Sequence, residues 1–339
     1  MPSIETIAKE SGASIATVSR VLRQQGEAKT DIQRRILKVA ERLGRPGEQS
    51  GRHRQILYMS FQNVLSTESQ QMTLPVIMEG MNSVFHPQGY SLLYSSIDLA
   101  NTPPPALLRR EVDGVIFHGK LNRDFYNSYL ADLPLVGISH YDPSYECNWV
   151  TLDREVEGYQ LIAHLVEKGH RKIAYFTPEC DYMGEQFTGY RRAMEHFGLP
   201  IDPSWEILHQ RPAVNGILPP EYELQDYSAL LKPVFQGPNP PTAIFCMDNF
   251  RVQCVEMSLQ KLGLKVPFDV SLVGTSNSSQ MGTAFYNGNI TCSYDDSFST
   301  NAEAAKLLLR IISTEEKRIV KIMVRPTLKE GATVAPPRK

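Results

Sequence analysis

The chain has 339 residues, of which 42% are hydrophobic and 21% are charged. This composition excludes a disordered chain and is typical of a globular protein long enough for two or three compact units. No apolar run approaches the ~20 residues of a membrane span, and no secretory signal precedes the first helix. The five cysteines show neither paired nor metal-ligand spacing. We therefore expect a cytoplasmic protein with reduced thiols, without a membrane partner, a metal or a cofactor.

The net charge of −2 is unevenly distributed along the chain. Residues 1–55 contain eleven Lys and Arg against six Asp and Glu, a net charge of +5, so the remainder carries −7. A basic segment at one end of an acidic body is typical of a protein that binds DNA through that end.

Two short amphipathic helices are predicted at the beginning of the chain. Apolar residues recur at i, i+3 and i+4 in each of them, as Ile4, Ile7 and Ala8 and then as Val18, Val21 and Leu22. Between the helices, Gly12 suits a tight turn and Ser14 can cap the second helix. Two such helices joined by three or four residues form a helix-turn-helix.

The outward face of the second helix carries small, hydroxyl and guanidinium side chains, namely Ile15, Ala16, Thr17, Ser19, Arg20 and Arg23. A helix that enters the major groove of DNA needs such a face. An ordinary helical hairpin with a solvated face has the same pattern, so spacing and charge alone leave both interpretations open.

The rest of the chain alternates between strands and helices. A third helix is predicted over 31–43, and residues 45–55 form a polar linker. We predict strands over 56–61, 91–96, 112–117, 135–138, 149–152, 172–176, 242–246, 270–274 and 319–324, and helices over 73–86, 154–168, 189–197, 251–262 and 301–312. This alternation predicts an α/β fold with parallel sheets covered on both faces, and about ten strands favour two lobes over a single sheet.

Several separate stretches resemble one known family. The first is Ala-x-x-Ser-Gly-Ala-Ser-x-x-Thr-Val-Ser-Arg-Val-Leu at 8–22, and the others lie at 165–174, 189–190, 241–245, 262–274 and 325–328. On these motifs the chain resembles the LacI/GalR (lactose-repressor) family of transcriptional regulators. The resemblance implies a homodimer that binds double-stranded, pseudo-palindromic operator DNA and holds a small effector in a cleft between two lobes.

The resemblance also implies a domain organisation. We expect a helix-turn-helix DNA-binding domain over 1–44, a linker or hinge over 45–55, a two-lobed periplasmic-binding-protein-like effector domain over 56–330, and a tail over 331–339. Lobe one is expected at about 56–151 and 290–314, and lobe two at about 152–288 and 315–330.

By the same resemblance, Ile15 and Ala16 open the recognition helix, and we expect them to contact thymine methyl groups. Arg20 is expected to read a guanine, because a guanidinium group matches guanine O6 and N7. The side chains expected to hold DNA phosphates are Ser3, Ser14, Thr17, Ser19, Arg23 and Lys29.

Candidate effector contacts follow from the predicted strand ends, since ligands of open α/β sheets bind beyond the carboxyl ends of the strands. Polar residues lie at the ends 60–63, 95–98, 118–120, 139–141, 177–180, 248–249 and 276–277. Such side chains suit a polyhydroxylated ligand, although polar residues also collect in loops for other reasons. The effector-binding candidates at these ends are Asn63, Ser139, Asp248, Asn249 and Ser276, and the family resemblance adds Gln186.

Two departures from the family pattern shape the expected ligand and linker. The family has an arginine where this chain has Gln186 and an aspartate where it has Ser276, whereas Asp248 is kept. Because this arginine–carboxylate pair is missing, an anionic ligand would lie beside Asp248 with no opposing arginine. We therefore expect a neutral polar effector, such as a sugar or glycoside. In the linker, Gly51 and His53 replace an arginine and a leucine, so we expect it to stay extended on DNA. The alternative is that the dimer and DNA still force a hinge helix, with Arg52 and Arg54 on phosphates.

Three classes of function remain at this point. We favour a ligand-responsive regulator that represses a carbohydrate-utilisation operon. The alternatives are a cytoplasmic solute-binding module without specific DNA binding, and an enzyme. The chain has no Gly-rich phosphate loop, GxSxG or HExxH motif, so we predict no catalytic residue. Asp295 and Asp296 are interpreted as a solvated strand end, and His170 as a structural residue.

Overall fold

The computed structural model describes residues 4–23, 30–42, 53–61, 67–98, 100–138, 141–178, 184–209, 225–276, 290–314 and 318–338. Most of the expected linker, together with the candidates Ser3, Lys29, Asn63 and Ser139, lies outside these ranges. Where the description resumes, the Asp113 carboxylate accepts hydrogen bonds from the backbone N–H groups of His53 and Arg54, both at 2.8 Å.

The amino-terminal region consists of three helices, α1 (Ile4–Ser11), α2 (Ile15–Arg23) and α3 (Asp31–Arg42). Their apolar faces form one small core, made of Ile7, Ala8, Val18, Val21, Ile36, Val39 and Ala40. Gly12 has φ +68° in the turn after α1, a conformation that favours glycine. The Ser14 hydroxyl accepts the Thr17 N–H at 3.1 Å and so caps α2. Both local predictions are confirmed.

The described strands form two six-stranded sheets. The first has the order β11-β5-β4-β3-β1-β2 and the second the order β12-β10-β9-β8-β6-β7. All pairings are parallel except that of β10 with β12. The strands are β1 (Gln55–Phe61), β2 (Ser91–Ile97), β3 (Gly114–His118), β4 (Leu135–Ile138), β5 (Asn148–Leu152), β6 (Ile173–Pro178), β7 (Glu206–His209), β8 (Ala243–Cys246), β9 (Ser271–Ser276), β10 (Cys292–Tyr294), β11 (Lys321–Val324) and β12 (Thr327–Lys329).

Helices cover both faces of each sheet, as parallel sheets require. They are α4 (Thr67–Phe85), α5 (Pro105–Leu108), α6 (Arg123–Phe125), α7 (Arg154–Glu167), α8 (Gly184–His196), α9 (Ser228–Phe235), α10 (Asn249–Lys261) and α11 (Ser297–Thr314). Helices α4 and α11 share a core with the first sheet, α7 and α8 pack on one face of the second, and α9 and α10 on its other face.

The chain passes between the two lobes three times, after β5, after β10 and after β11. Two expected lobe boundaries are therefore corrected. Against the expectation that 290–314 belongs to lobe one, β10 pairs with β9 in the second sheet, although α11 shares the core of the first. Against the expectation that 315–330 belongs to lobe two, β11 pairs with β5 in the first sheet, although β12 pairs with β10 in the second. Strands of three or four residues carry too little pattern to reveal a partner that is distant in sequence.

The expected tail is also corrected, because its described part, 331–338, packs on the second lobe. Thr333 is fully buried and its hydroxyl donates to the Leu272 carbonyl at 2.7 Å. The His170 ring places Nε2 2.9 Å from the Ala335 carbonyl and Nδ1 2.8 Å from the Thr242 hydroxyl. His170 thus has the structural role expected of it.

Helices α7 and α8 approach each other closely enough for their backbones to touch. A Cβ atom added at Gly189 would lie 2.1 Å from the Glu155 carbonyl oxygen, and one at Gly158 would lie 2.3 Å from the Gln186 carbonyl oxygen. These two glycines fix the spacing of the helices that carry much of the site described below.

Among the described helices, none combines the length and apolar character needed to cross a bilayer.

We predict that Gly189→Ala lowers the free energy of unfolding by about 1–3 kcal/mol, because the new methyl group collides with backbone that cannot rotate away. Gly184→Ala is the matched control, since a Cβ atom at Gly184 on the same helix has open space around it. The control is expected within about 0.5 kcal/mol of wild type in urea unfolding. Equal losses in the two variants would contradict the backbone contact.

Candidate functional site

The outer face of α2 is the first candidate surface. Val18 and Val21 are buried on its inner side, whereas Ile15 and Ala16 are exposed and Ser19 is half-buried. Ile15 exposes 54% of its surface at the start of the helix. A large aliphatic side chain so exposed on a three-helix unit is available for an apolar contact with another molecule.

The hydroxyl groups at the start of α2 already have a local role. The Ser14 and Thr17 hydroxyl oxygens lie 2.7 Å apart, and Ser14 is the cap of the helix. Ser14 is exposed, and Thr17 and Ser19 are half-buried. Any phosphate contact by Ser14 or Thr17 would add to a preformed helix terminus, where backbone N–H groups also favour anions.

The second candidate site lies where strands of the two lobes end. In lobe two, α7 and α10 both begin directly after strands, and an aspartate caps each of them. Asp153 accepts the Val156 N–H at 3.1 Å, and Asp248 accepts the Arg251 N–H at 2.7 Å. Their N-termini lie at the carboxyl ends of the strands, which is where α/β proteins bind ligands.

Asp248, Asn249 and Ser276 come together at this edge, as the sequence predicts from the adjacent strands β8 and β9. A Cβ atom at Gly274 would lie 3.2 Å from the Asp248 carbonyl oxygen and 3.3 Å from Asn249 Oδ1, so the end of β9 touches the start of α10. The Ser276 carbonyl accepts the Asp295 N–H at 2.9 Å. Ser276 and Asn249 expose only 7% and 9% of their surfaces.

An arginine partner for Asp248 is present, although the sequence analysis found none. Arg251 Nη1 lies 3.0 Å from Asp248 Oδ2, and the Arg251 side chain is 2% exposed. The two residues are three apart on one helix, which brings their side chains together. The premise that the expected effector partner Asp248 lacks an opposing arginine is therefore corrected.

Gln186 does not occupy the position expected of an effector contact. It is fully buried, and its amide nitrogen donates to Glu157 Oε2 at 2.9 Å and to the Met247 carbonyl at 3.4 Å. Its amide oxygen accepts the Tyr175 hydroxyl at 3.0 Å. Because both ends of the amide have protein partners, Gln186 connects α8 to α7, β6 and the residue before Asp248.

Sequence reasoning missed the charged residues of α7. Arg154 stands in its first turn with Nη1 3.5 Å from Glu157 Oε2, and their side chains are 21% and 1% exposed. The charge of Arg154 also acts on His118, which ends β3 in the other lobe, and on Asp295 at the β10–α11 crossing. We call His118, Arg154, Glu157, Gln186 and Asp295 the junction cluster, since both lobes contribute to it.

Burial sets the protonation of this cluster. It raises the pKa of Glu157 to about 7, although Arg154 and the Gln186 hydrogen bond act in the opposite direction. It lowers the pKa of His118 to about 4, with a smaller contribution from Arg154. Burial also raises the pKa of Asp295, against the hydrogen bond from Thr300, whose hydroxyl lies 2.7 Å from Asp295 Oδ1.

The interpretation of Asp295 and Asp296 as a solvated strand end is wrong for Asp295, which is half-buried at the crossing and accepts the Thr300 hydroxyl. Asp296 is exposed and caps α11, accepting the Ser299 hydroxyl at 2.7 Å and the Ser299 N–H at 3.3 Å. The first turn of α11 therefore begins earlier than predicted. Its polar residues gave no apolar periodicity, but an Asp followed by serines is a capping signal.

A second link joins the lobes beside the cluster. Tyr141 follows β4 and rests edge-on against Trp149, with ring centroids 5.7 Å apart. Lys321 Nζ, on β11, lies 3.9 Å from the centroid of the Tyr141 ring and 4.0 Å from Glu185 Oε1 on α8. The side chain of Lys321 thus spans from the first sheet to a helix of the second lobe.

Within the described ranges, no group of three or more His, Cys, Asp or Glu side chains could hold a metal ion. The described cysteines are buried free thiols. Burial raises the pKa of Cys147 to about 12 and that of Cys292 to about 11, which keeps both protonated. These thiols are therefore poor nucleophiles and poor metal ligands.

Comparisons with known proteins give the same order of a helical amino-terminal domain and an α/β domain. Residues 3–44 match the family described as bacterial regulatory proteins, lacI family, and residues 162–334 match the periplasmic binding protein-like domain. The HTH-type transcriptional repressor PurR of Aliivibrio salmonicida is 24% identical over 333 residues, covering 94% of this chain and 95% of the relative.

Two solved structures share the fold over nearly the whole chain. The complex of the transcriptional regulator CelR with cellobiose has a TM-score of 0.63 at 20% identity, covering 98% of this chain and 100% of that one. The lac repressor dimer bound to operator and the anti-inducer ONPF has a TM-score of 0.64 at 16% identity, covering 98% and 99%. This chain belongs to the lacI family of DNA-binding transcriptional regulators, with a periplasmic-binding-protein-like domain behind its helix-turn-helix headpiece.

Proposed function

We propose that this chain is a repressor whose affinity for operator DNA changes when a small neutral polar molecule, a sugar, occupies the site between its lobes. One observation carries the choice of ligand. Both arginines at the site are already paired with carboxylates of the chain, Arg251 with Asp248 at 3.0 Å and Arg154 with Glu157 at 3.5 Å. While Glu157 is ionised, neither arginine is therefore left without a carboxylate partner among the described residues of the site.

A charged ligand would fit such a site poorly. A phosphate or carboxylate group would compete with Asp248 or Glu157 for its arginine, and displacing a buried carboxylate leaves a desolvated charge without a partner. Hydroxyl groups can instead share donors and acceptors that remain paired. The cellobiose bound in the CelR structure supports a sugar for this chain too.

The DNA side of the proposal rests on α2. Ile15 and Ala16 would meet thymine methyl groups and Arg20 a guanine, while Ser3, Ser14, Thr17, Ser19, Arg23 and Lys29 would hold phosphates. The exposure of Ile15 supports the apolar part of this assignment. We further propose a homodimer on a pseudo-palindromic operator, the arrangement for which the lac repressor dimer on its operator is the precedent.

We predict that Arg20→Ala lowers the ratio of operator affinity to scrambled-DNA affinity by roughly tenfold or more, because a bidentate guanine contact discriminates by ~1–3 kcal/mol. The operator is first obtained by selecting random duplexes with the full chain. Lys29→Ala is the contrasting variant, and it should weaken both duplexes alike and reduce the salt slope by ~0.9.

Fluorescence anisotropy at several salt concentrations measures both quantities. If Arg20→Ala leaves the affinity ratio unchanged, Arg20 does not read a base. If the wild-type chain itself shows no preference for any selected duplex, the protein is a solute-binding module without specific DNA binding.

We predict that neutral sugars stabilise the chain and their phosphorylated counterparts do not. The matched pairs are ribose with ribose 5-phosphate and glucose with glucose 6-phosphate, and cellobiose is tested beside them. A binding sugar at roughly a hundredfold excess over its Kd should raise the melting temperature by about 5 °C, since it binds only the folded state. Stabilisation by the phosphorylated members alone would contradict the charge argument.

A further inference from the structure

The junction cluster contains a buried amide with no evident place in DNA or sugar binding. Gln186 is completely buried, and its amide nitrogen donates a hydrogen bond to the carboxylate of Glu157 as well as to a backbone carbonyl. That carboxylate, Glu157, is 1% exposed and is the acidic partner of Arg154. Gln186, Glu157 and Arg154 thus contact one another in succession, from the interior of lobe two to the lobe junction.

We propose that Gln186 is a positioning residue, which through Glu157 holds Arg154 at the junction between the lobes, where Arg154 is the cation that faces the ligand. The assignment of Arg154 to the ligand rests on the proposed function. The positioning by Gln186 is a property of the chain alone and can be tested without a ligand.

The geometry requires an amide at this position. The Tyr175 hydroxyl donates to one end of the side chain at 3.0 Å, and the other end donates to Glu157 at 2.9 Å. A glutamine supplies both an acceptor and a donor, whereas a carboxylate would repel Glu157 and an apolar side chain would supply neither. Gly158 and Gly189 bring the two helices close enough for the short contact to form.

Among Gln186, Glu157 and Arg154, it is Arg154 that reaches solvent. Its side chain is 21% exposed while its partner is 1% exposed, so the guanidinium group lies at the boundary of the buried region. Across the junction it acts on His118 of the other lobe. The guanidinium group has five N–H donors, and its contact with Glu157 does not use them all. Arg154 can therefore also donate to a molecule bound between the lobes.

Titration of Glu157 gives a measurable consequence. The groups that act on it are Arg154 on its own helix, Gln186 on α8, and Asp295 and the Cys292 thiol from the β10 side. The folded-state pKa is about 7 against an ordinary 4.5. The stabilisation from protonated Glu157 is thus fully present below the ordinary value and is lost as the pH rises through about 7.

Removing the donor by Gln186→Met should raise the pKa of Glu157 further, because the charged form loses its hydrogen bond. The melting temperature should fall by about 2 °C relative to wild type at about pH 5.5 and by about 5 °C or more at about pH 8. The melting temperature of Arg154→Met should likewise fall further below that of wild type at about pH 8 than at about pH 5.5. In a Glu157→Gln background, the effect of Gln186→Met should no longer depend on pH.

Gln160→Met is the matched control. Gln160 also lies in lobe two and donates a side-chain hydrogen bond to the Ser293 hydroxyl at 2.7 Å, and it is not among the groups that shift the pKa of Glu157. Its loss should lower the melting temperature equally at both pH values. A pH-independent effect of Gln186→Met, or one that keeps its pH dependence in the Glu157→Gln background, would overturn the positioning role.

Calorimetry with cellobiose separates this inference from the proposed function. If wild type binds cellobiose, Gln186→Met and Arg154→Met should each weaken binding by about tenfold, and the double variant little more, because both act through one guanidinium group. Binding unchanged in both variants would overturn the role of Arg154. If wild type binds no cellobiose, the sugar proposal loses this candidate, and the pH profiles still decide the positioning.

Discussion

The arrangement of the ligand site depends on one buried carboxylate, that of Glu157. A carboxylate that is 1% exposed is costly unless donors surround it. Here α7 supplies Arg154 and α8 supplies Gln186, and the helices can deliver both because Gly158 and Gly189 let their backbones touch. The need to satisfy Glu157 thus fixes the relative position of two helices and the direction of Arg154.

The same principle governs the other half of the site. Arg251 is almost fully buried and Asp248 both pairs with it and caps α10, so one carboxylate sets the start of a helix and neutralises a buried cation. The Met247 carbonyl beside it accepts the Thr275 hydroxyl at 2.6 Å and the Gln186 amide at 3.4 Å. Charges at the site are therefore balanced within the protein, which favours a ligand that brings hydroxyl groups rather than charge.

The sequence predicted what local rules decide and missed what distant contacts decide. Gly12, Ser14 and the two valines of α2 act within one turn, and the structure has them as predicted. Gln186 was expected at the ligand because of its position in a family motif, but its partners lie on α7 and β6, which no local pattern reveals. The sheet to which β11 belongs depends on its pairing with β5, which lies more than a hundred residues earlier in the chain. Arg154 could have been found from Asp153, a helix cap that directly follows a strand.

The most direct test of a ligand-controlled DNA switch is the reciprocity of its two binding reactions. The operator affinity is measured with and without whichever of ribose, glucose or cellobiose binds most tightly, and the affinity for that sugar is measured with and without operator. We predict that each changes by the same factor, of about tenfold, because coupling between two sites is a single free energy. A sugar that binds tightly and leaves the operator affinity unchanged would contradict the account.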